Sequence, residues 1–168
     1  HNGSLDKAFE LVDVAIESGV DVVKFQMGIP KNVISHKAPK ANYQIESTGG
    51  GESQLEMVKK LVLKDSEYLE LAKYCKTKNI EFLATPFDKE SVDLLSNTIK
   101  LPQLKIASGE VTNAQLLHYA ARTNKKIILS TGMSTLAEVE VALGILAHGY
   151  LYPSQKPLLS KTKEVFCS

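Results

Sequence analysis

The chain has 168 residues, a formal net charge of +1 and 43% hydrophobic residues, as an ordinary globular protein does. Its nearly neutral charge and lack of a basic run argue against a nucleic-acid-binding surface, and no apolar run approaches the ~20 residues of a membrane span. The two cysteines, Cys75 and Cys167, fit neither a disulfide framework nor a zinc-binding spacing. We therefore expect a reducing, cytoplasmic location.

Helical and extended patterns alternate from the start of the chain. Ser4 is a good N-cap for a helix over 5–18, and a Val-rich strand over 21–26 follows almost at once. Residues 27–51 contain Pro30, Pro39 and three consecutive glycines, and they predict a long irregular segment. A segment of this length inside a compact domain indicates a lid or substrate loop, or else disorder.

The alternation continues to about residue 148. A capping box formed by Thr135 and Glu138 predicts the start of the last helix. The tail, 149–168, loses periodicity and favours an inserted loop, although 165–167 is also compatible with a strand. The other predicted elements are helices over 52–63, from 65 or 66 onward, over 89–96 and over 113–122, and strands over 80–85, 104–106 and 126–131.

A strand followed by a helix recurs every 20–40 residues, which predicts parallel strands joined by right-handed crossovers. Four strands and five or six helices are about half of a (β/α)8 TIM barrel, which takes ~250 residues. We therefore predict an α/β fold in which residues 1–168 are an incomplete N-terminal portion of a single TIM-barrel domain. The first strand and the later strands would lie outside the chain. A doubly wound open sheet is the competing architecture, but the Gly-rich dinucleotide turn typical of it is absent.

Polar side chains stand at the C-terminal ends of four predicted strands, where a TIM barrel places its active site. Hydroxyls and close-approach backbone N–H groups beside two lysines predict a pocket for a small molecule that carries a phosphate and a carboxylate. A carboxylate at the same end could serve as a general acid or base, or orient a hydroxyl. Alternatively, the lysines extend to solvent and the Ser-Gly pairs merely turn the chain. The residues are Lys24, Gln26, Thr85, Lys105, Ser108, Glu110 and Ser130.

Several segments together resemble the sialic acid synthase (N-acetylneuraminate synthase) family. The resemblance covers nearly the whole chain. The segments are His-Asn-Gly-Ser at 1–4, Val-Lys-Phe-Gln at 23–26, Ala-Pro-Lys-Ala-Asn-Tyr-Gln at 38–44, Glu-Ser-Gln-Leu-Glu-Met at 52–57, Ala-Thr-Pro-Phe-Asp at 84–88, Lys-Ile-Ala-Ser-Gly-Glu at 105–110 and Leu-Ser-Thr-Gly-Met at 129–133.

The resemblance implies a TIM barrel that condenses phosphoenolpyruvate with an N-acetylmannosamine-type sugar and releases phosphate by C–O cleavage. It also implies a homodimer, a C-terminal antifreeze-like domain that this chain lacks, and a divalent metal, typically Mn²⁺. The family's two metal-binding histidines are expected beyond Ser168, so no metal ligand is assigned here. By position, Gln26 and Glu110 resemble catalytic residues near the sugar and the reacting carbons, and Asn2 resembles a sugar-binding position. The residues that resemble the phosphoenolpyruvate-binding set are Lys24, Thr85, Lys105, Ser108 and Ser130.

Three alternatives stay open at this point. The acceptor could be a relative of N-acetylmannosamine, such as a precursor of legionaminic or pseudaminic acid. The barrel could instead be a 3-deoxy-heptulosonate or octulosonate phosphate synthase, which would need a second phosphate pocket for its sugar. It could also be a non-catalytic fragment that serves as a binding domain. Under the synthase interpretation, residues 1–168 alone are expected to lack condensation activity.

Overall fold

The structure, a computed structural model, describes residues 1–155. The described strands are β1 (Val22–Met27), β2 (Glu81–Pro86), β3 (Gln103–Ile106) and β4 (Lys126–Leu129). The helices are α1 (Leu5–Glu17), α2 (Pro30–Val33), α3 (Asn42–Thr48), α4 (Gln54–Lys59), α5 (Asp65–Thr77), α6 (Lys89–Asp93), α7 (Ala114–Ala121) and α8 (Leu136–Leu151). A π-helical turn, Leu94–Thr98, continues α6, and a 3₁₀ turn, Ser108–Glu110, follows β3.

The strands form two short sheets, and at least one helix separates every strand from the next in sequence. β1 pairs with β2, and β3 pairs with β4. The β3–β4 pair is parallel, with Lys105 opposite Ile128 and Ile106 opposite Leu129. This pairing confirms the strand–helix–strand crossover that the sequence predicts for this part of the chain.

One compact unit comprises residues 1–23 and 27–82. Its core lies where α1 packs on α5, because the apolar stripe of each helix faces the other. Val12, Leu71 and Cys75 are fully buried there. The Ser4 hydroxyl accepts a hydrogen bond from the Lys7 backbone N–H at 3.3 Å, which confirms Ser4 as the N-cap of α1.

Among the described residues, the second compact unit comprises 24–26 and 83–155. Its most extensive helix contact joins α7 to α8. A Cβ on Gly149 would lie 2.6 Å from the Cβ of Ala121, so the two helices meet at a point where one of them has no side chain. Leu104, Ile106 and Leu117 are fully buried in this unit.

Some predicted boundaries are wrong. The segment 27–51 is not wholly irregular, since it contains α2 and α3. β2 includes Pro86, where the sequence predicts the strand to stop. α8 continues to Leu151 through residues that the sequence assigns to the irregular tail. The prediction for 165–167 lies outside the described residues.

Candidate active site

The first two site residues lie on one face of β1. Burial alternates strictly along this strand, with Val23, Phe25 and Met27 buried and the residues between them exposed. Side chains of a strand point alternately to opposite faces, so Lys24 and Gln26 share the exposed face. The sequence predicts this arrangement, and the structure has it.

Lys105 occupies the corresponding position on β3. Leu104 and Ile106 are fully buried on one face, and Lys105 is half-buried on the other. Burial, and then the positive charge of Lys24, lower the pKa of Lys105. The two ammonium groups therefore repel each other within one compact unit. A bound dianion would relieve both the repulsion and the cost of burying the charge.

The strand ends of β3 and β4 bring two serine-containing corners together. The Ser130 N–H donates to the Ile106 carbonyl at 3.1 Å, which extends the parallel ladder by one bond beyond β4. A Cβ on Gly132 would lie 3.5 Å from the Oγ of Ser108, so the Gly132 backbone passes beside the Ser108 hydroxyl. The Ser108 hydroxyl and the Gly132 backbone therefore lie together at this end of the β3–β4 pair, and small polar groups of this kind are compatible with a bound phosphate.

Thr85, near the end of β2, has a side chain with an unused hydrogen-bonding group. The residue is 1% exposed. Its Oγ1 makes no hydrogen bond to any of the described residues. Buried polar atoms are almost always paired, so the Thr85 hydroxyl is available to a partner outside the described residues. A ligand oxygen would fill that role.

Glu110 ends the 3₁₀ turn after β3 and is held by a neighbour that sequence reasoning did not single out. Asn113 donates from Nδ2 to Glu110 Oε2 at 2.7 Å. The Oδ1 of Asn113 accepts from the Leu116 N–H at 3.2 Å and caps α7. One side chain thus starts the helix and orients the carboxylate. An asparagine three residues after the glutamate, at a helix start, is the signal that could have revealed it.

Asn2, the predicted sugar-binding residue, lies in the first unit. It is exposed, and with φ of 47° it occupies the left-handed region that asparagine tolerates better than most residues. The turn is fixed at Gly3, where a Cβ would lie 2.3 Å from the carbonyl oxygen of Lys60. The structure thus accounts for a tight N-terminal turn, and the role of Asn2 in sugar binding stays a prediction.

The described residues do not fit a metal centre. No group of three or more histidine, cysteine, aspartate or glutamate side chains within residues 1–155 is arranged to hold an ion. Divalent metals in proteins need several such ligands. The Mn²⁺ prediction concerns ligands expected beyond Ser168.

No helix within residues 1–155 has the length and hydropathy of a membrane span.

A sequence profile described as the NeuB family matches residues 11–161. The chain is 53% identical over 146 residues to N,N'-diacetyllegionaminic acid synthase of Campylobacter jejuni, an alignment that covers 87% of this chain and 43% of that protein. It is 40% identical to the enzyme of the same name from Legionella pneumophila, over 85% of this chain and 40% of that protein. The chain therefore spans less than half the length of these relatives.

Solved structures of synthases are similar to this chain in fold. The N-acetylneuraminic acid synthetase of Leptospira borgpetersenii superposes with a TM-score of 0.72 at 30% identity, over 89% of this chain and 47% of that one. A truncated 3-deoxy-D-arabino-heptulosonate 7-phosphate synthase of Thermotoga maritima superposes with a TM-score of 0.57 at 15% identity, over 89% of this chain and 44% of that one, a likeness in fold alone. The fold is thus an N-terminal portion of an α/β TIM barrel, as the sequence predicts.

Proposed function

Because the chain belongs to the NeuB family, we propose that the protein condenses phosphoenolpyruvate with a 2-acetamido aldose to a sialic-acid-type nonulosonate. The observation that carries the proposal is the pair Lys24 and Lys105. Their ammonium groups act on each other at the strand ends of one unit, and that repulsion favours binding of a small dianion. Phosphoenolpyruvate, with a phosphate and a carboxylate on three carbons, has the charge that such a pair requires.

The names of the relatives favour one kind of acceptor. The two proteins of 53% and 40% identity are named for N,N'-diacetyllegionaminic acid, a product with two acetamido groups. The pseudaminic acid synthase of Helicobacter pylori is 30% identical, over 86% of this chain and 42% of that protein. We therefore propose a diacetamido relative of N-acetylmannosamine as the preferred acceptor, with N-acetylmannosamine itself as a weaker substrate.

In the proposed site, one substrate is held by groups from several strand ends. Lys24 and Lys105 bind the phosphate and the carboxylate, and charge-assisted hydrogen bonds of this kind are about twice as strong as neutral ones. Thr85, Ser108 and Ser130 supply hydroxyl donors. Binding by groups that are fixed on strands orients the enol carbon toward the acceptor. Because the translational and rotational entropy of the substrates is then lost on binding, the activation free energy of the condensation is lower.

The bond changes balance without a redox partner. C3 of phosphoenolpyruvate forms a C–C bond to the aldehyde carbon of the sugar, whose oxygen takes a proton. Water adds to the resulting cation at C2 and loses a proton. The C2–O bond to phosphate then breaks as the new C2 hydroxyl becomes the ketone, and the proton of that hydroxyl passes to the leaving phosphate. Glu110, which is held by Asn113, would accept or deliver one of these protons, and Gln26 would hydrogen-bond the reacting sugar.

Three further features are part of the proposal. A divalent cation, probed first as Mn²⁺, would polarise the sugar carbonyl as a Lewis acid, held by ligands from beyond Ser168. The full-length protein would be a homodimer, and it would work in the cytoplasm, where phosphoenolpyruvate is made. Asn2 would contact the acceptor.

The test is phosphate release from phosphoenolpyruvate by the purified full-length protein with Mn²⁺. The acceptor panel contains N-acetylmannosamine, its 6-phosphate, a 2,4-diacetamido-trideoxy-mannose and arabinose 5-phosphate. We expect turnover with the unphosphorylated acetamido sugars, fastest with the diacetamido sugar. Phosphoenolpyruvate that carries ¹⁸O at the oxygen bridging C2 and phosphorus should release ¹⁸O-labelled phosphate, because the C–O bond breaks. Turnover with phosphorylated sugars alone would contradict the proposal.

A further inference from the structure

A cavity in the second unit lies among α6, the π-helical turn that continues it, α7 and the residues that follow α8. Its volume is about 260 Å³. Sites for drug-sized ligands usually enclose ~300–1,000 Å³, so this cavity suits a smaller molecule. Of the seven described residues that line it, six are polar. They are Asp93, Asn97, Tyr119, Arg122, Thr123 and Ser154.

The cavity lies toward the end of the β3–β4 pair where the two strands begin. Arg122 is the C-cap of α7, shortly before β4, and Asn97 belongs to the π-helical turn that precedes β3. The strands are parallel, so their first residues lie side by side. Ser108 and Gly132 meet at the other end of the same pair, where the strands finish. A ligand in the cavity would therefore leave the candidate active site open.

Asp93 is the acidic group of the cavity, and two neighbours orient its carboxylate. The Tyr119 hydroxyl donates to Asp93 Oδ2 at 2.8 Å, and Asn97 donates from Nδ2 to Asp93 Oδ1 at 3.3 Å. An ionised carboxylate offers about four positions for hydrogen-bond donors, so each oxygen keeps room for one more. The carboxylate is thus held in place and can still bind a cationic group.

Arg122 is the cationic group of the cavity. It is exposed, and it forms no ion pair within residues 1–155. The hydrogen bond to Asp93 is the main cause of the raised pKa of Tyr119, and the positive charge of Arg122 acts in the opposite direction. Both charged groups therefore lie close to the Tyr119 hydroxyl without pairing with each other.

We propose that this cavity binds a small zwitterion with one ammonium group and one carboxylate, which is the chemistry of a free α-amino acid. The ammonium group pairs with Asp93. The carboxylate pairs with Arg122, whose planar guanidinium can donate two parallel hydrogen bonds to it. A simple anion would be repelled by Asp93 and a simple cation by Arg122, so the two charges together select a ligand that carries both.

The first test is binding to the purified full-length protein, measured by saturation-transfer NMR and calorimetry. The probes are L-alanine, L-leucine, L-glutamate and L-lysine, and inorganic phosphate serves as a simple anion. We expect at least one amino acid to bind with a Kd below about 10 mM. Its N-acetyl and amide derivatives, which each lack one charge, should bind at least about tenfold more weakly, as phosphate should. Saturating phosphoenolpyruvate should not displace the amino acid.

Charge-removing variants provide the second test. Arg122→Gln and Asp93→Asn should each weaken binding of the best amino acid by about tenfold, because a hydrogen bond between charged groups is lost. Arg122→Lys should keep part of the affinity. Lys7→Gln on α1 and Glu140→Gln on α8 remove one charge each at exposed positions, and they should bind as the wild type does. Arg122 is exposed, so Arg122→Gln decides the question even if Asp93→Asn fails to fold.

Four results would overturn the proposal. They are no binding of any of the four amino acids, equal binding of the N-acetyl derivative or of phosphate, unchanged affinity in Arg122→Gln, and displacement of the amino acid by phosphoenolpyruvate. Displacement would place the amino acid in the candidate active site. None of these results depends on turnover, so a protein that condensed no sugar would leave this test intact.

Discussion

Lys24 lies near enough to Lys105 that, after burial, its positive charge is the second cause of the lowered pKa of Lys105. Both lysines occupy the strand face opposite the buried residues, so the same alternation that builds the core also sets their direction. Two repelling cations destabilise a protein unless an anion is bound there.

Replacing Lys24 with glutamine should raise the pKa of Lys105, because a neighbouring positive charge is removed. NMR titration of ¹⁵N-labelled lysine side chains in the full-length protein measures this shift. The same variant should weaken phosphoenolpyruvate binding by about tenfold or more, since a charge-assisted bond is lost. Lys7→Gln, at an exposed position of α1, is the matched control. An unchanged Lys105 titration in Lys24→Gln would contradict the proximity of the two groups.

Asn113 should affect catalysis through Glu110 and stability through α7, and two substitutions separate the effects. Asn113→Ser keeps a side chain that caps the helix but removes the amide donor to Glu110. We expect its kcat to fall while the midpoint of thermal unfolding changes little. Asn113→Ala loses both bonds and should also cost about 1 kcal/mol of stability. Equal kcat values for Asn113→Ser and wild type would argue against a positioning role.

The α7–α8 contact should weaken in acid. His118 and His148 are buried there with ring centroids 5.5 Å apart. His148 Nδ1 and Nε2 and His118 Nε2 have no hydrogen-bond partner within residues 1–155. Burial, then His148 and Arg122, lower the pKa of His118. The unfolded chain therefore takes up a proton at higher pH than the folded one, and stability is lost as the pH falls below about 6.5.

Urea unfolding of the full-length protein at pH 7.5 and pH 5.5 measures this loss. The decrease in unfolding free energy between the two pH values should be smaller in His118→Gln than in the wild type, because one buried titrating group is gone. His36→Gln changes an exposed loop histidine and should leave the decrease as it is in the wild type. An equal decrease in His118→Gln and wild type would show that His118 does not couple folding to protons.

The core of the first unit should be sensitive to a cavity at the α1–α5 contact. Leu71→Ala removes a fully buried side chain, and we expect a loss of about 2–5 kcal/mol in unfolding free energy. Val14→Ala, on the exposed side of α1, should change stability by less than about 0.5 kcal/mol. Chemical denaturation of both variants in the full-length protein checks the difference. Similar losses would mean that the α1–α5 contact is not the core of this unit.

Short-range patterns predicted those features that depend on neighbours within a few residues. The Thr135–Glu138 capping box is confirmed, with the Thr135 N–H donating to Glu138 Oε2 at 2.7 Å. Alternation in β1 predicted which face carries Lys24 and Gln26, because a side-chain period of two is a property of any strand. The alternation of strands and helices predicted the barrel class, because parallel strands joined by helices are the repeating unit of that fold.

Features that depend on contacts between distant segments could not be predicted in this way. The burial of Lys40 requires α3 to fold back toward Glu52, and a lysine between a proline and an alanine reads as a solvated loop residue. The burial of His148 depends on Gly149, whose missing side chain lets α8 approach α7. Neither the position of α3 near Glu52 nor the contact of α8 with α7 can be inferred from the spacing of residues within one helix or strand.

By itself, the sequence determined the order of the elements, the inward and outward faces of the strands and the chemical character of their C-terminal ends. The tertiary structure decided which of those ends meet, placing the Ser108 hydroxyl beside the Gly132 backbone and Lys105 within range of Lys24. It also decided which polar groups are buried. The physical reason is that dihedral preferences act over a few bonds, whereas burial and electrostatic interaction depend on distance in space.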